Sequence, residues 1–272
     1  PAAVAEAAMK SGAARKKIKD LEIYKDQLSN RLDPSMSIMQ GINAKIRKSP
    51  KRVIFAEGED ENMLKAAIEF GRNKLGIPIL IGAENRVKEQ LKKIGLDENY
   101  KIEIVNSTDK EKRERYVNHL YKKLQREGQL ERDVDRLVRN DRIAWGSSMI
   151  ACKDADAMVT GNIRHYAASI EKLKKVVDAR PGEEIFGMTM IVSKGKTILV
   201  ADTNVTELPS AERLINISKS CVRIARLFGF EPKVAFLSHS TFGKPLSRNT
   251  RHVRDAIEKL KKEKVDFDFD GE

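Results

Sequence analysis

The sequence predicts an α/β protein whose parallel sheet is covered by helices on both faces. Short, nearly unbroken apolar runs recur at 53–56, 78–82 and 102–105, and amphipathic stretches of helical period separate them. Polar turn residues, such as Glu57-Gly58-Glu59-Asp60, sit at the joins. A strand buried on both faces reads as a continuous apolar run, and parallel neighbours need a crossover, usually a helix.

Residues 1–49 are rich in Ala and Lys, with helical spacing at Leu21, Tyr24 and Leu28 and a break at Asp33-Pro34. They predict a strand-free helical connector, or the tail of something preceding residue 1. A second block opens at Pro50, where Lys51-Arg52 lead into strand 53–56. The next helix carries Met63, Leu64, Ala67, Ile68 and Leu75 on one stripe and is expected to stop at Gly76. Residues 78–82 then form a strand, 84–94 a helix, 102–105 a strand and 109–126 a helix. Residues 131–151 predict one long helix, weakened at Gly146, before strand 157–160 ends at Gly161.

The third block differs. Runs 184–192 and 196–201 are rich in β-formers and flank Ser193-Lys194-Gly195, a hairpin signal. Pro209-Ser210 caps a helix whose stripe is Leu214, Ile217, Cys221, Ala225 and Phe228. A buried strand is expected at 234–237 and a basic helix at 251–263. The strand beginning at 265–269 reaches Asp270-Gly271-Glu272 with nothing after it, which predicts a C-terminally truncated domain.

The 272 residues suffice for one large domain or two ordinary ones, and 40% hydrophobic with 34% charged residues fits a globular chain. No apolar run is long enough to span a bilayer, and residues 1–17, without an apolar stretch after a basic start, are not expected to be a signal peptide. Two cysteines make no disulfide framework and point to a reducing, cytoplasmic compartment. The formal net charge is +12. The cations are interleaved with acids on helical stretches such as 110–142, without zinc spacing or a basic region with heptads. They read as a solvated surface, with an electrostatic funnel for a phosphorylated ligand as the alternative.

In open α/β sheets ligands lie beyond the carboxyl ends of the strands. Ser238-His239-Ser240-Thr241-Phe242-Gly243 offers hydroxyls, backbone N–H groups and a glycine that can cradle phosphate oxygens, or forms an ordinary polar turn. In 160–166, Gly161 permits close backbone approach while Arg164 and His165 supply donors; a surface loop with incidental charge is the alternative. Asp202 suits an Asx turn. Glu57, Glu59 and Asp60 can bind a metal, but acids at a helix start also satisfy its dipole, and that reading is preferred. Cys221 reads as core, and neither it nor Cys152 has a neighbouring His in sequence. The four histidines lack ligand spacing, and no GxGxxG or GxxxxGK[ST] loop occurs.

Residues 50–61 (PKRVIFAEGEDE), with Leu64, Ala66, Ala67 and 78–82, resemble the opening of the phosphotransacetylases, the phosphate acetyl/butyryl transferases. The likeness continues in order through 154–161 (DADAMVTG), 200–203 (VADT), 208–210 (LPS), 234–243 (VAFLSHSTFG) and 270–272 (DGE). Residues 1–14 (PAAVAEAAMKSGAA) are similar to the end of the catalytic part of bacterial NADP-dependent malic enzymes, in which a phosphotransacetylase-like domain follows.

The resemblance implies two three-layer α/β/α subdomains around a cleft, like those of isocitrate and isopropylmalate dehydrogenases. They would span about 50–165 and 166–272, after the end of the catalytic part and a connector in 1–49. It further implies a regulatory and oligomerising domain of an enzyme that decarboxylates malate oxidatively to pyruvate. NADP and Mg or Mn would belong to the parent, and neither a catalytic residue nor a metal site to this fragment. Acetyl-CoA or a related acyl-CoA would bind as effector at Gly161, Asn162, Arg164, His165, Ser238, Ser240, Thr241 and Gly243. The implied partners are further copies of the chain, dimer or higher, and the malic-enzyme catalytic domain in cis, with no nucleic acid or membrane. The family's transferases carry a Thr-Leu-Arg-Pro segment whose arginine handles the phosphate end of the substrate. Here the corresponding stretch is Ser169-Ile170-Glu171-Lys172, with an acid where the arginine is expected. An active phosphate acetyltransferase is the alternative.

Overall fold

The computed structural model describes residues 2–16, 18, 21, 24, 28, 34–96, 101–193, 196–239, 244 and 247–271. Two compact units are present, one of residues 43–178 and one of residues 1–42 with 179–272. Helix α1 (Ala2–Lys10) opens the chain, and Pro34 opens α2 (Pro34–Lys48), a position where the missing proline N–H is lost at no cost. Leu21, Tyr24 and Leu28 are helical and half-buried, as their spacing predicts.

The unit of residues 43–178 is built on four parallel strands. In chain order its elements are β1 (Lys51–Phe55), α3 (Glu61–Arg72), β2 (Gly76–Ile81), α4 (Glu84–Lys93), β3 (Glu103–Val105), α5 (Lys110–Leu124), α6 (Glu131–Asn140), α7 (Arg142–Ala151), β4 (Ala157–Val159) and α8 (Tyr166–Val176). The strand order is β3-β2-β1-β4. Val53 lies opposite Pro78 on one side and Ala157 on the other, and pairing with β3 begins only at Ile79. Pro78 therefore sits where β2 has no neighbour on its β3 side, so its missing N–H costs no ladder bond there.

Alternation along β1 and β2 separates two cores. Val53, Phe55 and Leu80 pack with Met63, Leu64, Ala67 and Ile68 of α3 and with Val87 and Leu91 of α4. Ile54, Ile79 and Ile81 face the other way, onto Tyr116, Leu120, Val134, Trp145 and Met149 of α5, α6 and α7. Each such buried side chain contributes about 1.5–3 kcal/mol relative to exposure. The sheet is thus covered on both faces, and the α/β prediction holds.

Several boundaries move. Strand β1 starts at Lys51, because the Arg52 side chain reaches the Asp154 carbonyl and the Glu103 carboxylate and ties the β1 start to its neighbours. Helix α3 ends at Arg72, so Leu75 lies beyond it, and Lys74 takes the left-handed turn at φ 55°. Gly76 does not stop the helix but opens β2. A Cβ there would stand 2.5 Å from the Lys51 carbonyl oxygen and 2.7 Å from the Phe70 ring. The predicted long helix 131–151 breaks at Asp141, which is extended (φ −120°, ψ 118°). Gly146 stays inside α7, where a Cβ would meet Met158 Sδ at 2.5 Å; it lets the helix approach the sheet.

The other unit pairs β5 (Met188–Ser193) with β6 (Lys196–Ala201) as an antiparallel hairpin, starting four residues later than predicted. Helix α9 (Ala211–Leu227), β7 (Lys233–Phe236), α10 (Arg248–Glu263) and β8 (Asp268–Gly271) follow, with β7 and β8 parallel. Ser210 caps α9 through Arg213 N, as expected. The buried face of α9 includes Ala211, Ile215, Ile217, Ser218, Val222 and Ala225, so Ile217 and Ala225 of the predicted stripe are buried while Leu214 and Cys221 are half-buried. That face meets Phe236, Val253, Ala256, Ile257 and Leu260. Leu237, expected in the buried strand, lies past its end and is 86% exposed. Strand β8 begins at Asp268 rather than 265. Among the described residues, no helix is long and apolar enough to cross a membrane.

Gly76→Ala is expected to destabilise the chain by roughly 1–3 kcal/mol, because the backbone of β1 must give way. Urea unfolding followed by circular dichroism checks this, and an unchanged midpoint would refute the close approach.

Candidate functional site

The chain runs outward from β1 to β3 and then returns to the opposite side with β4, so the order reverses between β1 and β4. Ligand crevices of open α/β sheets lie at such a reversal, beyond the carboxyl ends. Here the residues after β1 (56–60) meet those after β4 (160–165). Gly58 is required, since a Cβ would lie 2.9 Å from Leu80 Cβ and 3.0 Å from the Ile81 carbonyl oxygen.

The three carboxylates of this turn take separate roles. Glu57 is fully buried; its Oε1 accepts from Thr160 Oγ1 at 2.8 Å and Gly161 N at 3.3 Å, and its Oε2 has no partner among the described residues. It joins the ends of β1 and β4. Asp60 caps α3 by accepting from Met63 N and also receives Asn162 Nδ2 at 2.6 Å, which is the helix-start role expected of it. Glu59 accepts from Ala83 N at 2.8 Å, ahead of α4, and pairs with Arg142 and Arg86. Burial raises the Glu59 pKa, but the Ala83 N–H and the two guanidinium groups outweigh it and hold the carboxyl below its usual range.

In the loop after β4, Gly161 has φ +102° and open space around its Cα. Asn162 and His165 are exposed, and His165 occupies the N-cap position of α8 without making a cap bond. Arg164 donates to Asp141 Oδ2 at 3.3 Å, and Lys172 binds the same oxygen. The other oxygen of Asp141 accepts from Ile143 N and Ala144 N and caps α7. Burial raises the Asp141 pKa; Lys172, the Ala144 N–H and Arg164 lower it by more, so the net shift is downward. Glu171 faces solvent beside Lys175.

On the other unit, Ser238 and His239 line a depression of about 210 Å³ with Leu208, Pro209, Leu237 and His252. His239 Nε2 lies 3.4 Å from Ser247 Oγ, and His252 Nδ1–H donates to the Pro209 carbonyl. Ser240, Thr241 and Gly243 lie outside the described residues. Instead of the expected Asx turn, in which its carboxylate would accept from the N–H two residues on, Asp202 accepts from Gly187 N at 2.7 Å and from Thr206 N, four residues on, at 3.0 Å. Burial pushes the Cys221 thiol up to about 11 and raises Cys152 as well, so both are protonated at neutral pH. Sequence reasoning assigned nothing to Asp141 or Arg142. The signal was an acidic residue inside a helical run, which reads as a break and a new cap.

A profile of the family described as phosphate acetyl/butaryl transferase matches residues 37–272. The NADP-dependent malic enzyme of Rhizobium meliloti is 41% identical over 273 residues, 100% of this chain and 36% of that protein. The probable NADP-dependent malic enzyme of Rickettsia prowazekii is 38% identical over 99% of this chain and 37% of its own length. The chain thus spans about a third of the relatives it matches. A phosphotransacetylase from Streptococcus pyogenes superposes with a TM-score of 0.74 at 27% identity, covering 87% of this chain and 72% of that one.

Asp141 supplies the prediction of this site. Its folded pKa is depressed, so its stabilisation is present above the ordinary value of 3.8 and is lost as pH falls through the folded pKa. Asp141→Ala should lower stability by roughly 1–3 kcal/mol at neutral pH, through loss of the cap and two unpaired cations. The difference from wild type should shrink below about pH 4 in urea titrations; a pH-independent gap would contradict the assignment.

Proposed function

The chain belongs to the phosphate acetyl/butaryl transferase family, and from that premise we propose that it is the regulatory and oligomerising domain of an NADP-dependent malic enzyme, with acetyl-CoA as effector. The observation that carries this is the alignment of the whole chain with 36% of the Rhizobium meliloti malic enzyme. Residues 1–49 are then the end of the catalytic part and its connector. The parent would oxidise malate to pyruvate with NADP and Mg or Mn, and the regulatory effect would be a coupling free energy between two sites.

The residues assigned to acetyl-CoA are Gly161, Asn162, Arg164 and His165, and Ser238, Ser240, Thr241 and Gly243. The exposed backbone at Gly161 supports close approach of a ligand, and Arg164 supplies the cation. Asp141 holds Arg164 at 3.3 Å, so an incoming anion would have to share or displace that carboxylate. Transfer of an acetyl group from phosphate to CoA additionally needs a cation on the transferring group. Glu171, where the transferases carry an arginine, is exposed and pairs with Lys175 at 3.2 Å, which supports binding without turnover. Likeness to the Streptococcus pyogenes phosphotransacetylase makes acetyl transfer the competing reading.

Acetyl phosphate and CoA added to the full-length protein should yield no acetyl-CoA above background, while acetyl-CoA titrated into the malate reaction should lower its rate. Robust acetyl transfer, or a malate rate indifferent to millimolar acetyl-CoA, would overturn the reading. Arg164→Ala should weaken the effector response several-fold and leave the uninhibited malate rate unchanged. Light scattering of the intact protein at micromolar concentration should show a dimer or larger, and a monomer would refute the oligomerising role.

A further inference from the structure

Helix α7 is buried on every side along most of its length. Seven consecutive residues, Ile143–Met149, are buried, and a helix in such a place is ordinarily apolar all round. Inside this one, Trp145 Nε1, Ser147 Oγ and Ser148 Oγ are buried without a hydrogen-bond partner among the described residues. Such groups are costly where they stand, and they give the helix no polar tie to its neighbours. Toward the sheet α7 presents Gly146, with Met158, Ile81 and Ile54 around the position a Cβ would take. At that contact no side chain projects from the helix to set its register.

The polar ties of α7 are gathered at its start. One oxygen of Asp141 accepts from Ile143 N and Ala144 N. The other takes Lys172 of α8 and, at the longer distance of 3.3 Å, Arg164 of the loop after β4. Arg142 pairs with Glu59, which also accepts from Ala83 N ahead of α4. Among the described residues, the side-chain hydrogen bonds and ion pairs joining α7 to other elements all pass through residues 141 and 142.

Two cations on one oxygen make this cluster capable of two arrangements. The Asp141 side chain is only 10% exposed, and a buried carboxylate left without a cation is strongly disfavoured. Arg164 can nevertheless depart, because Lys172 still pairs with the same oxygen. Arg164 is a third exposed and follows Gly161, whose surroundings are open, so it can turn toward a ligand. The two arrangements differ in whether the loop after β4 is joined to the start of α7.

We infer that Asp141 is a latch between the loop after β4 and α7: an anion that draws Arg164 away unfastens the two, and α7 shifts against the sheet. Discrete helix shifts are one way in which a local change of charge is passed on. The identity of the anion rests on the effector reading above, whereas the latch rests on the contacts of Asp141 and on the unpaired groups of α7.

Hydrogen exchange of the full-length protein, followed by mass spectrometry, reads the latch directly. Without ligand, the amides of α7 should exchange on the order of ten-fold faster in Arg164→Ala than in wild type, while those of β1 and α3 keep their rates. Arg164→Lys, which retains a cation for Asp141, should restore the wild-type pattern. A wild-type rate for α7 in Arg164→Ala, or an equal acceleration in β1 and α3, overturns the latch. Acetyl-CoA, at a concentration that calorimetry shows to be saturating, should accelerate α7 exchange in the wild type as the substitution does. Binding without that change also overturns the latch. Absence of binding would refute the effector reading alone, and the ligand-free comparison would still decide the latch.

Discussion

Strand β1 is hydrogen-bonded on both edges and buried on both faces, and the position of every polar turn in its unit follows from that. Pairing with β2 on one side and β4 on the other places residues 56–60 beside 160–165, about a hundred residues away in sequence. Because successive side chains point to opposite faces, Val53 and Phe55 commit one face to α3 and α4, and Ile54 commits the other to α5 and α7. The register has no slack, since a shift of one residue would exchange the two cores. Glu57 completes the arrangement by binding Thr160 and Gly161 across the gap.

Charge is then distributed over the carboxyl edge of the sheet in two unlike patches. Near β1 and β4, Glu57 and Asp60 already occupy the local N–H and amide donors. Near β2 and β3, Glu59 pairs with Arg142 and Asp141 with Lys172. Asp141 lies between the two, since one of its oxygens caps α7 while the other holds Arg164 of the loop after β4. A ligand that changed the position of Arg164 would therefore act on the start of α7 through a single carboxylate.

Much of the fold was legible. Continuous apolar runs identified the strands, because strands of a covered parallel sheet bury both faces. The caps at Ser210 and Asp60 were marked by short polar side chains that favour that role. Two of the misreadings share one origin. Gly76 read as a stop because glycine usually ends helices, yet here it permits contact with the Lys51 carbonyl. Gly146 read as a weak point, yet it lets α7 lie against Met158 and Ile81. In both cases the neighbour that demands glycine is distant in the chain.

The sequence by itself determined the α/β class, the alternation of elements and the family, since these rest on local periodicity and on short motifs preserved in order. Tertiary structure alone decided which polar residues share a site. No spacing rule links Glu57 to Gly161 or Asp141 to Arg164, because strand order, rather than separation along the chain, sets those distances. The unpaired indole N–H of Trp145 belongs to the same class of fact. Whether a buried donor has found an acceptor depends on everything packed around it.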